Sequence, residues 1–313
     1  MSSWKVLLTD GLEENGQAIL RQGAEVSDQK GISADDLLKV AADFDALIVR
    51  GRTKVTAAVL DAAPKMKVVG RSGVGVDNID LEAAKSRGVT VVNAPIATSI
   101  SVAELTLALM LSVVREVPRA DASMKAGGWI KKELEGVELN GKTLGIIGFG
   151  RIGALVASRA AAFGMNILGY DPLVPPAEIE SRGGTPVSLD DLLKRSDMIT
   201  LHLPLTPQSK HLLDESAFAK MKKGVYVICA ARGGIIDESA LLAALNSGHV
   251  AGAGLDVFAV EPPADSSLTS HPKVVATPHI GGQTVEAQGR AAEDIATEVI
   301  AALSGKPLRW KVA

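Results

Sequence analysis

The chain has 313 residues, a length that suggests about two domains. Its balance of 33 basic against 36 acidic residues gives a net charge of −3, which excludes the broad positive field that non-specific nucleic-acid binding needs. Aromatic residues make up only 3% of the chain, which argues against a stacking platform for bases. A single cysteine cannot build a disulfide framework and is typical of a reducing cytosol.

Neither a membrane span nor a targeting segment is visible in the sequence. The most apolar segment, Val102–Val114, has 13 residues and contains Glu104, so it is too short to cross a bilayer. The N-terminal stretch Met1–Asp10 lacks the long apolar region and small-residue cleavage site of a signal peptide. We therefore expect a cytoplasmic protein that binds neither membranes nor nucleic acid.

Short runs of β-branched and aliphatic residues alternate with segments of helical spacing, such as Ser33–Ala42 and Leu81–Arg87. This alternation predicts parallel sheets with helices on both faces. Because it occurs in two blocks, the sequence predicts an α/β fold with two doubly wound, Rossmann-like parallel-sheet domains. The predicted strands are Trp4–Thr9, Ala46–Arg50, Lys67–Gly70 and Val89–Asn93 in the first block, and Thr143–Gly148, Asn166–Asp171, Met198–Leu203, Val225–Cys229 and Ala251–Asp256 in the second.

The two blocks are joined by a helical pattern rather than by a flexible linker. Ser101–Lys125 reads as one long helix that ends before Gly127. The last helical pattern, Thr284–Leu303, is expected to return to the first domain. We therefore predict a discontinuous N-terminal domain of residues 1–98 plus 285–313, and a second domain of residues 99–284.

A glycine-rich turn stands between the strand Thr143–Gly148 and a predicted helix that ends near Phe163. Its glycines are Gly148, Gly150 and Gly153. In a dinucleotide-binding fold they provide a tight turn, close approach of the backbone to a pyrophosphate, and close packing of helix on strand. The helix N-terminus then offers free N–H groups to the phosphates.

The next predicted strand ends at Asp171, 18 residues after Gly153. An acid at about this distance holds the ribose 2′-hydroxyl of a dinucleotide and repels a 2′-phosphate. The spacing therefore favours NAD over NADP. Two alternatives remain at this point: an ordinary turn with a solvated aspartate, and a methyltransferase that binds an adenosyl cofactor.

Three polar residues, Arg232, Glu261 and His279, each follow a predicted strand. Strand ends of a parallel sheet line the ligand crevice, so these residues can converge. Oxidation of a 2-hydroxy acid needs a base for the hydroxyl proton and a cation for the carboxylate, and histidine and arginine suit these roles. A carboxylate beside the histidine would favour its charged form and fix its orientation.

These motifs, Ala231–Glu238, Gly254–Phe258 and Pro278–Gly282 together with the glycine turn, resemble the D-isomer-specific 2-hydroxyacid dehydrogenases over essentially the whole chain. The resemblance implies that Arg232 binds the substrate carboxylate, that Glu261 pairs with the imidazole and that His279 is the acid/base. It implies a substrate domain (1–98 plus 285–313) and an NAD-binding domain (99–284), with Asp256 on the nicotinamide amide. The implied cofactor-binding residues are Val74, Gly148, Gly150, Arg151, Ile152, Gly153, Asp171, Leu203, Ala230, Ala231, Asp256, Gly281 and Gly282.

Cysteine and the other histidines receive no chemical role. Cys229 stands where the family usually has Asn, and we interpret it as a buried structural residue. His202 either lines the cofactor pocket or is structural. The remaining histidines lack metal-ligand spacing, so no metal is expected.

Two arginines in the first domain, Arg50 and Arg71, end predicted strands. With Ser72 and Gly73 they form the expected substrate-binding set. Since Arg232 already serves the carboxylate, two further arginines predict a second anionic group on the substrate. Arg52 is interpreted as facing solvent.

The segments Leu47–Arg50, Thr53–Thr56 and Val68–Asn78 resemble most closely the family members that oxidise D-3-phosphoglycerate to 3-phosphohydroxypyruvate with NAD, the first step of serine biosynthesis. Sulfolactate, glyoxylate or hydroxypyruvate remain alternative substrates, and an NAD(H)-sensing corepressor is the alternative without enzymatic activity. The long helix resembles the family's subunit-crossing element, which implies a homodimer or a dimer-based homotetramer. Because the chain stops at Ala313, a serine-sensing C-terminal domain is not expected.

Overall fold

The computed structural model describes residues 4–313 and divides into two compact units. Unit 1 combines the chain up to Thr98 with Gly282–Ala313, and unit 2 is Ser99–Gly281. The sequence pattern places the return of the chain to the first domain after residue 284.

The strands are β1 Trp4–Leu8, β2 Ala24–Asp28, β3 Ala46–Val49, β4 Val68–Arg71, β5 Thr90–Asn93, β6 Thr143–Ile147, β7 Asn166–Tyr170, β8 Thr185–Pro186, β9 Met198–Leu201, β10 Val225–Cys229, β11 Val250–Leu255 and β12 Val274–Ala276. The helices are α1 Glu14–Leu20, α2 Ala34–Val40, α3 Ala57–Asp61, α4 Leu81–Ser86, α5 Ser99–Val114, α6 Val117–Lys125, α7 Arg151–Ala162, α8 Pro176–Ser181, α9 Leu189–Arg195, α10 Glu215–Lys220, α11 Glu238–Asn246 and α12 Val285–Leu303.

Unit 1 is built on a five-stranded parallel sheet in the order β2-β1-β3-β4-β5. Successive side chains of a strand point to opposite faces. Accordingly Leu7 and Leu47 join the core on one face, whereas Val6 and Ile48 join the core on the other, where α12 packs. Both faces are covered, which explains why β3 is apolar at every position.

Unit 2 is built on a seven-stranded parallel sheet in the order β12-β11-β10-β9-β6-β7-β8. The strand order reverses between β6 and β9. In open α/β sheets, ligands bind outside the carboxyl ends of the strands at this switch point. The predicted fold class, two doubly wound parallel sheets, is confirmed.

The sequence predicts one long helix over Ser101–Lys125. This prediction is wrong, because the structure has two helices there. α5 ends at Val114, and Glu116 takes a left-handed conformation with φ 51° before α6 begins. Pro118 lies in the first turn of α6. Proline lacks the N–H that would continue the α5 hydrogen-bond ladder, but it is well tolerated at a helix start.

The last helix begins where the pattern predicts. Thr284 is its N-cap and accepts a hydrogen bond from the N–H of Ala287. At the end of the chain, the buried Glu298 carboxylate accepts hydrogen bonds from Arg309 and from the Trp310 N–H. Over residues 4–313, no helix combines the length and apolar character needed to cross a bilayer.

Candidate active site

The glycine-rich turn lies at the switch point of unit 2, directly after β6. Gly148 has φ +95°, and a Cβ there would lie 2.7 Å from the carbonyl carbon of His202 after β9. A Cβ at Gly153 would overlap the carbonyl oxygen of Gly148, so helix α7 packs directly on the turn. A Cβ at Gly150 would meet nothing within 4 Å. This open space, beside the N-terminus of a 12-residue helix, suits a pyrophosphate.

Asp171 follows β7 and lies beside this turn. Its Oδ2 accepts a 2.8 Å hydrogen bond from the N–H of Phe149, and its Oδ1 accepts one of 2.8 Å from the N–H of Leu173. Arg182, which the sequence does not single out, donates to the carbonyl of Phe149. The carboxylate is thus anchored at the edge of the turn, where a dinucleotide presents its ribose.

The acid/base candidates form a hydrogen-bonded pair. Nδ1 of His279 lies 2.7 Å from Oε2 of Glu261, and the N–H of Phe258 donates to Oε1 of Glu261 at 3.0 Å. Among residues 4–313 nothing bonds to Nε2 of His279. The imidazole is therefore oriented through one nitrogen and presents the other.

The Glu261 carboxylate is held in its charged form. Partial burial raises its pKa, but the hydrogen bonds from His279 and Phe258, together with the charge of Arg232, outweigh burial and bring the pKa below its usual value. Nη1 of Arg232 donates to the carbonyl of Ala231 at 2.7 Å. The structure therefore brings the three predicted catalytic residues into one electrostatic cluster within unit 2.

Asp256 organises the loop that carries His279. The residue is only 1% exposed. Its Oδ1 accepts hydrogen bonds from the Thr277 hydroxyl at 2.6 Å and from the Ile280 N–H at 2.7 Å. Its Oδ2 accepts a hydrogen bond from the Gly281 N–H at 2.8 Å. His279 itself has φ 53° and donates its N–H to the Asp256 carbonyl at 2.9 Å. Both carboxylate oxygens are engaged in this loop, a role that the sequence does not predict.

His202 is partly buried, and its imidazole is neutral. Burial lowers its pKa to about 3, and its Nε2 lies 3.1 Å from the Thr200 hydroxyl. Its backbone lies against Gly148, as described above. In the part of the chain that the structure describes, no group of three or more His, Cys, Asp or Glu residues is arranged to hold a metal.

The predicted cofactor-binding residues fall in both units. Val74 and Gly282 belong to unit 1. The others belong to unit 2 and lie in the glycine turn or at strand ends: Gly148, Gly150, Arg151, Ile152, Gly153, Asp171, Leu203, Ala230, Ala231, Asp256 and Gly281.

Arg50 and Arg71 lie together in unit 1, because Val49 pairs with Arg71 in the β3–β4 register. Nη1 of Arg71 donates to the Ser72 carbonyl at 2.6 Å, and its guanidinium covers Gly73, where a Cβ would overlap it. The side chain of Arg50 is only 23% exposed.

Arg52 is an exposed residue, in agreement with its interpretation as solvent-facing. Its side chain is half exposed, but Nε donates to Oδ1 of Asp10 at 3.1 Å and Nη2 donates to the Thr9 carbonyl at 2.7 Å. The buried Asp10 carboxylate requires a charged partner, and this requirement is not visible in the local sequence.

The family model described as "D-isomer specific 2-hydroxyacid dehydrogenase, NAD binding domain" matches residues 107–281. This is more than half of the chain. The chain belongs to the D-isomer specific 2-hydroxyacid dehydrogenases. Unit 2 is accordingly an NAD-binding domain.

Individual proteins of high similarity agree with this assignment. The D-3-phosphoglycerate dehydrogenase of Methanocaldococcus jannaschii is 50% identical over 303 residues, which are 96% of this chain and 58% of that protein. The crystal structure of TT0316 protein from Thermus thermophilus is 38% identical with a TM-score of 0.91, covering 99% of this chain and 100% of that one. A glyoxylate reductase from Paecilomyes thermophila is 33% identical with a TM-score of 0.90, covering 100% and 99%. The chain thus spans somewhat more than half the length of the curated relative.

Cys229, the departure from the family pattern, is a buried free thiol at the end of β10. Its Sγ lies 3.9 Å from the carbonyl oxygen of Arg232. Burial raises its pKa from 9.0 to about 11. The thiol is therefore neutral at physiological pH and is unsuited to nucleophilic chemistry.

We predict that the folded protein reacts slowly with a disulfide reagent such as dithionitrobenzoate at pH 8. A pKa raised from 9.0 to about 11 reduces the thiolate fraction about 100-fold, and burial slows reagent access further. Labelling should therefore be at least about 100-fold slower than in urea-unfolded protein, and should accelerate with pH up to about 11. The Cys229→Ser variant is the blank, and rapid stoichiometric labelling of the folded chain would contradict the assignment.

Proposed function

We propose that this protein is an NAD-dependent dehydrogenase that oxidises D-3-phosphoglycerate to 3-phosphohydroxypyruvate, the first step of serine biosynthesis. The observation that carries the proposal is the His279–Glu261 pair, with a 2.7 Å contact that leaves Nε2 free for the substrate. The 50% identity to a D-3-phosphoglycerate dehydrogenase supports the choice of substrate. A cytoplasmic location fits a lone, unpaired cysteine.

The proposed mechanism assigns the proton to His279. Nε2 takes the proton of the C2 hydroxyl as the C2–H bond breaks, and the charged Glu261 stabilises the imidazolium that forms. The oxidation also needs a hydride acceptor, which the nicotinamide ring of NAD supplies when bound. Arg232 binds the substrate carboxylate with its forked guanidinium. In the reverse direction His279 returns the proton to the carbonyl oxygen.

Arg50 and Arg71 are proposed to bind the 3-phosphate. Both are held at adjacent strand ends of unit 1, and Arg50 is mostly buried. Two guanidinium groups match a phosphate by charge and by hydrogen-bond geometry. A sulfonate could occupy the same place, so sulfolactate is the competing substrate.

The protein is also proposed to form a homodimer through α6 and the segment after it. α6 has no buried residue, and Met124 and Trp129 are 57% and 77% exposed. Large exposed apolar side chains on one segment mark an interaction surface. A second copy of the chain is the proposed partner, and pairs of such dimers would give a tetramer.

Cofactor choice tests the role of Asp171. Asp171→Asn keeps an oxygen acceptor for the Phe149 N–H but removes the charge that repels a 2′-phosphate. The NAD/NADP ratio of kcat/KM should fall about 10- to 150-fold, the value of one charge-assisted hydrogen bond. Steady-state kinetics with both cofactors measure this, and a parent enzyme that uses NADP as well as NAD refutes the assignment.

Removal of the base tests the mechanism. His279→Ala should lower kcat by roughly 10²–10⁴, the usual contribution of a general acid–base group, while NADH binding measured by fluorescence titration stays within about twofold. His271→Ala removes a partly exposed histidine of the same unit and should leave kcat unchanged. Normal turnover by His279→Ala would place the base elsewhere.

Substrate choice tests the two arginines. Arg71→Ala and Arg50→Ala should each reduce kcat/KM for 3-phosphoglycerate roughly 10- to 150-fold more than for D-glycerate, since each removes a charge-assisted hydrogen bond to the phosphate. Arg232→Ala should damage both substrates alike, because both carry the carboxylate. Equal losses on the two substrates in the Arg50 and Arg71 variants would remove the basis for phosphoglycerate.

The mass in solution tests the dimer. Light scattering after size-exclusion chromatography should give at least twice the 32.5 kDa chain mass. The double variant Met124→Glu, Trp129→Glu puts charges on the proposed surface and should shift the protein towards monomer. A parent protein that is monomeric at micromolar concentration would contradict the proposal.

A further inference from the structure

Arg50 lies at the switch point of the unit 1 sheet. The strand order β2-β1-β3-β4-β5 reverses between β1 and β3, and open α/β sheets bind ligands outside the strand ends at such a point. The register pairs Leu8 with Ile48, so Asp10 and Arg50 follow at matching positions. Glu13 comes from the same loop as Asp10, immediately before α1.

The main chain of Arg50 is fixed from both sides. Its N–H donates to Oδ2 of Asp10 at 2.7 Å, and its carbonyl accepts from Nδ2 of Asn78 at 2.8 Å. Burial raises the pKa of Asp10, but hydrogen bonds from Thr53 and from the Arg50 N–H bring it below its usual value. Asp10 therefore remains a charged anchor, and the backbone of Arg50 has little freedom.

Within the part of the chain that the structure describes, the side chain of Arg50 has one ionic partner, the carboxylate of Glu13. Nη2 of Arg50 lies 3.3 Å from Oε1 of Glu13. Across the described residues, 4–313, nothing in the protein bonds to Nη1 or Nε of Arg50. A single contact therefore orients the guanidinium while two of its three nitrogens stay available to a ligand.

The side chain of Glu13 does not cap helix α1, although Glu13 is the N-cap residue of that helix. By contrast Ser33, Thr56 and Asp80 each cap their helices with a side-chain oxygen. Oε2 of Glu13 is buried, and no described residue donates to it. Among the described residues, the contact with Arg50 is therefore the polar contact that the Glu13 carboxylate makes.

We propose that Glu13 is a positioning residue, which aims the Arg50 guanidinium at the distal anionic group of the substrate. This inference rests on the proposed function and deepens it. A long arginine side chain loses much rotamer freedom when it binds a ligand; Glu13 imposes part of that order in advance, which lowers the entropic penalty of binding. If the Glu13 carboxylate instead blocked the Arg50 guanidinium, the substrate would have to displace it. Removal of the carboxylate would then strengthen substrate binding.

The test compares Glu13→Ala and Glu13→Gln with the parent on 3-phosphoglycerate and D-glycerate. Glu13→Ala should raise KM for 3-phosphoglycerate about two- to fivefold, the effect of a partly exposed ion pair, with kcat within about twofold. D-glycerate kinetics should not change, because that substrate has no distal anion. Glu13→Gln keeps an oxygen acceptor for Nη2 and should restore part of the affinity.

Glu14→Ala is the matched control. Glu14 is the next residue, carries the same charge and pairs with the exposed Arg21. This variant should leave both substrates unaffected and should match the melting temperature of Glu13→Ala. In an Arg50→Ala background, Glu13→Ala should have no further effect on KM.

The possible failures are distinguishable. If Arg50→Ala discriminates between the substrates and Glu13→Ala does not, the proposed function stands and the positioning role is overturned. A lower KM in Glu13→Ala also overturns it, since that is the signature of a competitor. Equal losses on both substrates indicate a structural role and overturn it as well. A parent enzyme that does not prefer 3-phosphoglycerate to D-glycerate refutes the proposed function and this inference together.

Discussion

One buried carboxylate, that of Asp256, holds the proposed acid/base in place. It accepts hydrogen bonds from Thr277, Ile280 and Gly281, and thereby shapes the loop that carries His279. The left-handed conformation of His279 costs about 1–2 kcal/mol. The three hydrogen bonds to the Asp256 carboxylate hold the loop in that conformation. The strained backbone turns the imidazole to Glu261.

This arrangement depends on the parallel sheet. β11 and β12 pair with Leu255 opposite Ala276, so Asp256 and Thr277 leave the sheet side by side. The same sheet reverses its order at β6 and β9, where the glycine turn lies against the His202 backbone. Residues separated by more than a hundred positions in sequence are brought to one end of unit 2 because all its strands run in one direction.

Local patterns predict the features that depend on local physics. The glycine turn, the strand ends and the start of the last helix near Thr284 are visible because each requires particular residue types in a short stretch. The break between α5 and α6 is less visible, because Pro118 is acceptable at a helix start and only the left-handed Glu116 shows that the ladder stops. The sequence pattern does not predict strands β2 and β12. Strand β2 is partly exposed along most of its length, and β12 has only three residues, so neither has the continuous apolar run of a central strand. The roles of Asp256, Arg52 and Glu13 depend on partners that are distant in sequence or outside any motif, and no spacing rule predicts them.

The most direct test of the account is the rate of NADH formation with a panel of D-2-hydroxy acids: 3-phosphoglycerate, glycerate, lactate and sulfolactate. The charge on Arg50 and Arg71 predicts the highest kcat/KM for 3-phosphoglycerate, a lower value for sulfolactate, and much lower values for the two acids without a second anionic group. A preference for lactate or glycerate, or the absence of NADH formation with every acid, would contradict the account.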